Sequence, residues 1–327
     1  MRRREFILTI GAAAISSCSV AAQQLSSTRT VGILIGTSRT SPLVTGYNAF
    51  LQRLSKAGWI EGRNLRIELR WANGDPKLMQ DYAKELVTLT PDVMLVSSNP
   101  ALAVLRPIAA DVPIVFVHVA DPVSSGFVSS LSHPGGNITG FTNFEASMGS
   151  KWLETLHDIA PSVTQATILM HPETAAHVAF IREAQSAAPK LGVDTVTAGV
   201  HDGREVESAI TAASMRPNTG IVVLPHSVTS VNSSLIIEHA LKYKMPTVYP
   251  FRQNAEDGGL VAYGVDAGEL LASSAEYVDR ILRGKKPAEL PVQAANKFEL
   301  AINLKTARAI GLAVPATLVA RADEVIE

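Results

Sequence analysis

Apolar residues recur along the chain in short blocks whose spacing alternates between two patterns. Residues 30–35, 92–96 and 114–117 are short runs rich in β-branched side chains, as buried strands are. Between them, residues 43–57 and 76–89 space their apolar positions three or four apart, which is the spacing of one helix face. The first part of the chain therefore predicts alternating strands and helices.

The same alternation continues to the end. We predict strands at 166–170, 194–197, 220–224, 247–249 and 297–303, and helices at 152–159, 174–187, 204–215, 234–242, 270–283 and 304–310. Such alternation is typical of βαβ units, which form parallel sheets covered by helices on both faces. About five units fit on each side of residue 143, and two sheets are more economical than one of about ten strands. The predicted class is α/β with two Rossmann-like lobes.

The pattern restarts at residues 142–150, where we place the first hinge crossing. Further crossings are expected near 263–266 and near 285–290. Lobe 1 then comprises residues 29–143 plus about 265–285, and lobe 2 comprises 144–264 plus about 286–327.

Residues 1–22 have the order of a bacterial signal peptide. Arg2 to Arg4 precede the apolar stretch 6–15, and small residues lead to Ala22, before which Val20 and Ala21 offer a cleavage site. Residues 3–7 resemble a twin-arginine signal, whereas Ile15 to Ser17 form a poor lipobox before Cys18, so lipid anchoring is disfavoured. The alternative, a buried N-terminal helix, is opposed by three arginines at the positive end of the helix dipole. We therefore expect a periplasmic protein.

Charge and cysteine content exclude several classes of protein. The 327 residues carry a net charge of −1, and removing residues 1–22 leaves about −3, which argues against nucleic-acid binding. The single cysteine, Cys18, excludes a disulfide framework, a Cys₄ zinc site and an iron–sulfur cluster. An exported chain also meets neither ATP nor NADH, so we expect no cofactor.

No enzyme motif is found. The sequence contains no phosphate-binding loop, no G-x-S-x-G and no H-E-x-x-H. Residues 135–140 are glycine-rich, but they precede a strand and predict a turn. The eight histidines are scattered, and His171 and His177, six residues apart, do not share a helix face, so no metal site is predicted. Residue counts leave a Ser/His/Asp hydrolase open as a weak alternative.

Polar residues follow several predicted strands, where open α/β sheets bind their ligands. These candidate ligand-binding residues are Thr37, Ser98, Asn99, Asp121, His171 and His226. Each has a structural alternative: Ser98 and Asn99 can cap a helix, Asp121 can begin one, and His226 can lie in a surface loop.

Three further candidates lie at the predicted crossings or just beyond a later strand. Thr142 begins the first hinge, Phe251 follows the strand at 247–249, and Asp266 lies at the second crossing. Arg252 beside Phe251 can pair with a ligand carboxylate or form a surface ion pair. Asp266 can receive a ligand ammonium or cap the next helix.

Several segments together carry a family resemblance. They are residues 113–116 (PIVF), 121–123 (DPV), 133–140 (HPGGNITG), 258–266 (GGLVAYGVD), 281–291 (ILRGKKPAELP), 297–307 (KFELAINLKTA) and 321–326 (RADEVI). With the signal peptide, they make the chain resemble the periplasmic substrate-binding proteins of ABC transporters grouped with the bacterial tryptophan/tyrosine-binding proteins.

The resemblance implies a type I periplasmic binding fold, with two lobes, three hinge crossovers and a ligand in the cleft between them. It puts Ser98, Asn99 and Asp121 in loops of lobe 1, and Phe251 and Asp266 on cleft-facing segments of lobe 2. Relatives take aromatic amino acids, and many carry an acidic residue after the proline where this chain has Pro225 and His226.

We therefore expect a solute-binding protein, not an enzyme. It would capture an amino acid or aromatic carboxylate and deliver it to an ABC permease, acting as a monomer without nucleic acid or metal. The alternative is a periplasmic receptor that reports ligand to a signalling protein. A permease and an ATPase encoded beside the gene would favour transport.

Overall fold

The computed structural model describes residues 28–327. The predicted signal peptide and Cys18 lie outside the described residues. Within residues 28–327, no helix is long and apolar enough to cross a bilayer.

The chain first forms an α/β unit that ends at residue 142. Its elements are β1 (Arg29–Ile35), α1 (Ser41–Lys56), β2 (Leu65–Trp71), α2 (Pro76–Thr88), β3 (Val93–Ser97), α3 (Asn99–Leu105), a 3₁₀ turn (Arg106–Ile108), β4 (Ile114–Val119) and β5 (Ile138–Thr142). The chain then crosses into a second α/β unit.

The second unit repeats the alternation. Its elements are α4 (Met148–Ile159), β6 (Gln165–Met170), α5 (Ala175–Leu191), β7 (Asp194–Gly199), α6 (Gly203–Ser214), β8 (Thr219–Val223), α7 (Ser227–Val231), α8 (Ser233–Lys242), β9 (Thr247–Tyr249), α9 (Arg252–Glu256) and β10 (Val261–Gly264).

The chain then crosses twice more. It returns to the first unit for α10 (Ala267–Ser273), α11 (Ala275–Leu282), a 3₁₀ turn (Pro287–Glu289) and β11 (Gln293–Ala294). It ends in the second unit with β12 (Glu299–Asn303), α12 (Leu304–Ile310), α13 (Ala316–Val319) and β13 (Glu324–Ile326). We call the two units lobe 1 and lobe 2.

Each lobe is built on one sheet. The strand order is β11-β5-β4-β3-β1-β2 in lobe 1 and β13-β12-β10-β9-β8-β6-β7 in lobe 2. The pairs are parallel except β10 with β12, which run antiparallel. The two-lobed α/β prediction is confirmed, with parallel pairing dominant in both sheets.

Burial of both faces of each sheet explains why the sequences of the strands are nearly continuous apolar runs. In β1, Val31, Ile33 and Ile35 pack with α1 and α11 on one face, whereas Leu34 packs with α2 and α3 on the other. In β8, Val222 packs with α4 and α5, and the residues on either side of it pack with α6 and α8. Each lobe thus has two apolar layers around its sheet.

Two boundaries differ from the sequence-based expectation. The predicted helix 270–283 is interrupted at Ser274, whose buried hydroxyl donates to the Leu271 carbonyl 2.6 Å away, a bond that competes with the helix ladder. The third crossing follows β11, because Gln293 and Ala294 pair with Phe141 and Thr142 of β5. It therefore comes after residue 294 rather than near 285–290.

A contact between two glycines brings the returning helix α10 against α1. A Cβ atom at Gly46 would lie 2.5 Å from the Gly268 carbonyl oxygen, and one at Gly268 would lie 2.7 Å from the Pro42 carbonyl oxygen. Only residues without a side chain permit this approach. It holds Ala267 and the start of α1 beside the carboxyl ends of the lobe 1 strands.

Candidate ligand-binding cleft

A polar-lined cavity lies between the lobes, at the carboxyl ends of the strands. It contains about 860 Å³ of empty space, including the solvent at its mouth. Lobe 1 contributes the loops after β1, β3 and β4, and lobe 2 contributes those after β8 and β9. This is where α/β sheets bind small molecules, and the volume suits one.

Five of the nine predicted ligand-binding residues line this cavity. They are Thr37, Ser98, Asn99, His226 and Phe251. Apolar contact surface is provided beside them by Pro42 and Leu43 at the start of α1 and by Pro225.

Of the eleven buried side-chain polar atoms that lack a hydrogen-bond partner among residues 28–327, four lie on the cavity wall. They are Thr37 Oγ1, Asn143 Oδ1, Ser227 Oγ and Asn254 Oδ1. A buried polar group without a partner costs about 1–3 kcal/mol, so native proteins rarely retain one. Four in one cavity indicate a surface built to hydrogen-bond a molecule from outside the chain.

Ser98 and Asn99 have structural roles as well as a place in the cleft. Ser98 Oγ accepts a hydrogen bond from the Ala101 N–H, which caps α3. The Asn99 amide bonds both backbone groups of Ala120, whose N–H donates to Oδ1 and whose carbonyl accepts from Nδ2. The capping alternative is therefore correct for Ser98, and Asn99 joins two loops of the cleft wall.

His118 lies on the cleft wall in a left-handed backbone conformation, with φ of 55°. Its Nε2 lies 2.7 Å from the Ala267 carbonyl oxygen and must donate, so Nδ1 accepts from Ser97 Oγ at 3.0 Å. Burial lowers the pKa of His118 to about 4, although the Ala267 carbonyl and the charge of Asp266 oppose the shift. The ring is neutral at pH 7 and presents no positive charge to a ligand.

His226 is also neutral. Its Nδ1 accepts from the Val228 N–H at 3.1 Å and caps α7. Burial, followed by repulsion from the rings of His171, His177 and His201, lowers the pKa of His226 to about 2.

Asp257 is the one residue of formal charge among the described residues that line the cavity. It follows α9, and its Oδ1 accepts a hydrogen bond from Gln253 Nε2 at 2.7 Å. Arg252 pairs instead with Glu256 and Glu324, at 3.0 and 3.5 Å. The surface ion pair proposed as its alternative is therefore the role observed.

Asp121 and Asp266 lie outside the cavity lining. Asp121 Oδ1 accepts from the Ser124 N–H at 3.2 Å at the start of a turn. Asp266 is exposed, and its Oδ1 accepts from the Glu269 N–H at 2.9 Å, which caps α10. The capping role given as the alternative for Asp266 is therefore observed, whereas Asp121 begins a turn and not the helix that was its alternative.

Thr142 and His171 also lie outside the cavity lining. Thr142 is buried in β5, where its hydroxyl donates to the Val119 carbonyl at 2.8 Å. The ring of His171 stacks on that of the lining residue His226 at a centroid distance of 4.1 Å.

Sequence reasoning missed Asn143, Ser227, Asn254 and Asp257. Asn143 and Ser227 each follow a predicted candidate directly, so the search for polar residues after strands came within one residue of both. Asn254 and Asp257 belong to the short helix α9 and the residue after it, which no apolar pattern predicts.

The lobes touch where the loop after β2 meets the end of α7. Gly74, after β2, has φ of 75°, and a Cβ atom there would lie 2.9 Å from Val231 Cγ1 at the end of α7. Because these residues belong to opposite lobes, the structure is a closed arrangement.

Comparison with known proteins identifies the family of this chain. A model of the family described as ABC transporter substrate binding protein matches residues 32–326. This chain belongs to that family. The predicted resemblance is confirmed, and membership makes the chain a solute-binding protein rather than an enzyme, as the sequence predicted.

Individual relatives agree with the family assignment. The chain is 25% identical to the tyrosine-binding protein of Clostridioides difficile strain R20291 over 264 residues, covering 80% of this chain and 75% of the relative. Among solved structures, a conserved domain protein of Vibrio cholerae is 28% identical, with a TM-score of 0.85, over 91% of this chain and 99% of that one. A domain from Streptococcus pneumonia solved with L-Trp has a TM-score of 0.84 at 23% identity, over 92% and 100% of the two chains, which shows a shared fold.

Proposed function

We propose that this solute-binding protein captures a free amino acid with an apolar, aromatic side chain between its lobes and delivers it to an ABC permease. The observation that carries the proposal is the set of four unpartnered polar atoms around the apolar surface of the cleft. A ligand that bonds these atoms removes their desolvation cost in the closed form.

The chemistry of the set matches a zwitterion. The hydroxyls of Thr37 and Ser227 can donate to a carboxylate. The amide oxygens of Asn143 and Asn254, together with the Asp257 carboxylate, can accept from an ammonium. Asp257 thus offers the negative charge that His226 does not supply after Pro225.

Neutral histidines support the same ligand class. His118 and His226 are uncharged at pH 7, and the described lining contains no lysine or arginine. A ligand with a net negative charge would find no full positive charge there, whereas a zwitterion brings its own compensating ammonium. Leu43 and Phe251 offer contact to an aromatic side chain. The relatives named for tyrosine binding and solved with L-Trp support this choice.

Capture follows from closure of the lobes. Contacts from both lobes to one ligand exist only when the cleft is closed, so the ligand stabilises the closed form by its differential affinity. Closure also removes water from the cavity, which strengthens the hydrogen bonds that a ligand forms with the four buried polar atoms.

Export and transport complete the proposal. Residues 1–22 would direct the chain to the periplasm, where it would act as a monomer beside the permease. Deleting the gene should abolish uptake of the labelled amino acid, and the full chain should restore uptake, whereas a chain without residues 1–22 should remain in the cytoplasm and fail to restore it.

Ligand binding is tested on purified residues 23–327, freed of co-purified ligand by unfolding and refolding. We expect an aromatic L-amino acid to raise the unfolding temperature, because a ligand that binds the native state stabilises it. Its deaminated carboxylate should raise the unfolding temperature less, because it lacks the ammonium and binds more weakly. Asn254→Ala should lose the shift, and Asn48→Ala, exposed on α1, should retain it. A panel in which no amino acid shifts unfolding contradicts the proposal.

A further inference from the structure

We propose that lobe 2 carries a site for a divalent transition-metal ion of the Zn²⁺ class. Its ligands are His171 Nδ1, a Glu173 carboxylate oxygen and His201 Nε2. The three ligand atoms all lie within 4.8 Å of one another. Two imidazoles and one carboxylate are a donor set that Zn²⁺ accepts, with water completing the coordination.

Strand register brings these residues together. β6 and β7 are parallel neighbours, and Met170 pairs with Gly199 at their carboxyl ends. The loop after β6 carries His171 and Glu173, and the loop after β7 carries His201. Side chains far apart in sequence therefore meet at one edge of the sheet.

The carboxylate lies close to both ring nitrogens, as it would if all three residues held one ion. Glu173 Oε2 lies 3.1 Å from His171 Nδ1, and Glu173 Oε1 lies 3.1 Å from His201 Nε2. Ligand atoms around a tetrahedral Zn²⁺ with bonds of about 2.0–2.2 Å are about 3.4 Å apart. The carboxylate thus lies between two ring nitrogens at nearly the spacing that coordination requires.

Glu205 positions His201 for this role. Its Oε2 accepts from His201 Nδ1 at 2.8 Å and also from the His201 backbone N–H at 2.8 Å. A carboxylate on the far nitrogen of a metal-bound histidine fixes the ring and its tautomer, with Nε2 left for the ion.

The orientation of His171 distinguishes a metal site from a surface ion-pair network. Its Nδ1 is buried and makes no hydrogen bond within residues 28–327, although Glu173 Oε2 lies 3.1 Å away. The ring is held by stacking on His226 at 4.1 Å, with 19° between the planes. Since a buried ring nitrogen without a partner is costly, a cation between it and the carboxylate explains the arrangement.

The test is a Zn²⁺ titration of purified residues 23–327 by calorimetry, with any histidine tag removed, and a Co²⁺ titration followed by visible absorption. We expect one ion per chain and the ligand-field absorption of an imidazole- and carboxylate-bound Co²⁺. His201→Gln and Glu173→Gln should each weaken Zn²⁺ binding at least tenfold. Glu205→Gln, which alters only a positioning residue, should weaken it about tenfold.

His133→Gln is the matched control, because His133 is exposed in lobe 1 and should leave Zn²⁺ affinity unchanged. His201 and Glu173 are exposed, so their variants should keep the wild-type unfolding temperature in the presence of a chelator. The proposal is overturned if the wild type binds no stoichiometric ion, or if both ligand variants bind Zn²⁺ as tightly as His133→Gln does.

Discussion

The side-chain amide of Asn99 forms two hydrogen bonds with the backbone of Ala120, each 2.8 Å long. The pair joins the start of α3 to the loop after β4, across two neighbouring strands. Both residues line the cleft, so one side chain fixes the relative position of two parts of its wall.

Replacing Asn99 with Ala should therefore affect both stability and binding. Both backbone groups of Ala120 lose a partner, and we expect a loss of about 1–3 kcal/mol in the free energy of unfolding. Ligand affinity should fall as well, because the wall is no longer fixed. Urea unfolding and calorimetry measure the two effects. Asn48→Ala is the control and should stay within about 0.5 kcal/mol of wild type; equal stabilities of the two variants would refute the role of Asn99.

Asp257→Asn tests the proposed recognition of an ammonium. Loss of a charge-assisted contact should weaken amino-acid binding by about 10- to 100-fold, the equivalent of about 1.5–3 kcal/mol. Binding of the deaminated analogue should not weaken, because it brings no ammonium. Asp194→Asn, exposed in β7, is the control variant for calorimetry. If Asp257→Asn binds the amino acid with wild-type affinity, the ammonium contacts some other group.

Gly74→Ala tests closure. Its Cβ atom would lie 2.9 Å from Val231 Cγ1 in the closed arrangement only, so the variant should bind ligand more weakly and remain more open in small-angle scattering. Gly62→Ala has a similar positive φ of 81° with nothing within 4 Å, and separates backbone strain from the interlobe contact. Adding Val231→Ala to Gly74→Ala should restore affinity. If Gly62→Ala loses as much ligand affinity as Gly74→Ala does, the loss comes from backbone strain and not from the contact between the lobes.

His118→Gln tests the neutral histidine. The pKa of His118 is about 4 in the folded protein, whereas an unfolded histidine titrates near 6.5, so between these values the unfolded chain binds more protons. Stability should therefore fall as the pH decreases from about 6.5 to about 4, and the fall should be smaller in the variant. Burial also lowers the pKa of His177 to about 4. Stability of the variant should therefore still fall somewhat with decreasing pH, because His177 remains.

Urea unfolding at pH 7 and pH 5 measures this difference. Glutamine keeps a donor for the Ala267 carbonyl and does not titrate in this range. The exposed His133→Gln is the control. If the free energy of unfolding falls between pH 7 and pH 5 as much in His118→Gln as in the control, protonation of His118 does not destabilise the fold.

The strands and the two-lobed division could be predicted from sequence because both faces of each sheet are covered. Burial from residue 31 to 35 in β1 and throughout β3 makes these strands nearly continuous apolar runs, which are distinctive at any position in the chain. The break at Ser274 and the late crossing after β11 depend on one hydroxyl and on a two-residue strand. Neither leaves a periodic signal.

The candidate site could be predicted only where a cavity-lining residue lies just after a strand. The strand-end rule selected Thr37 and Phe251, which line the cavity, but it also selected Asp121, which lies outside the lining and begins a turn. The unpartnered state of Asn254 depends on the folded surroundings of its side chain, and the approach of His171 to His201 depends on the β6–β7 register. Neither feature can be inferred from a single sequence without the fold.

A crystal structure of residues 23–327 with a bound aromatic amino acid tests the central proposal most directly. The ligand is expected in the cleft between closed lobes, with its ammonium bonded to Asp257 or to the amide oxygens of Asn143 and Asn254, and its carboxylate bonded to Thr37 and Ser227. A bound amino acid that leaves these four polar atoms unpartnered, or that occupies another surface, would contradict it.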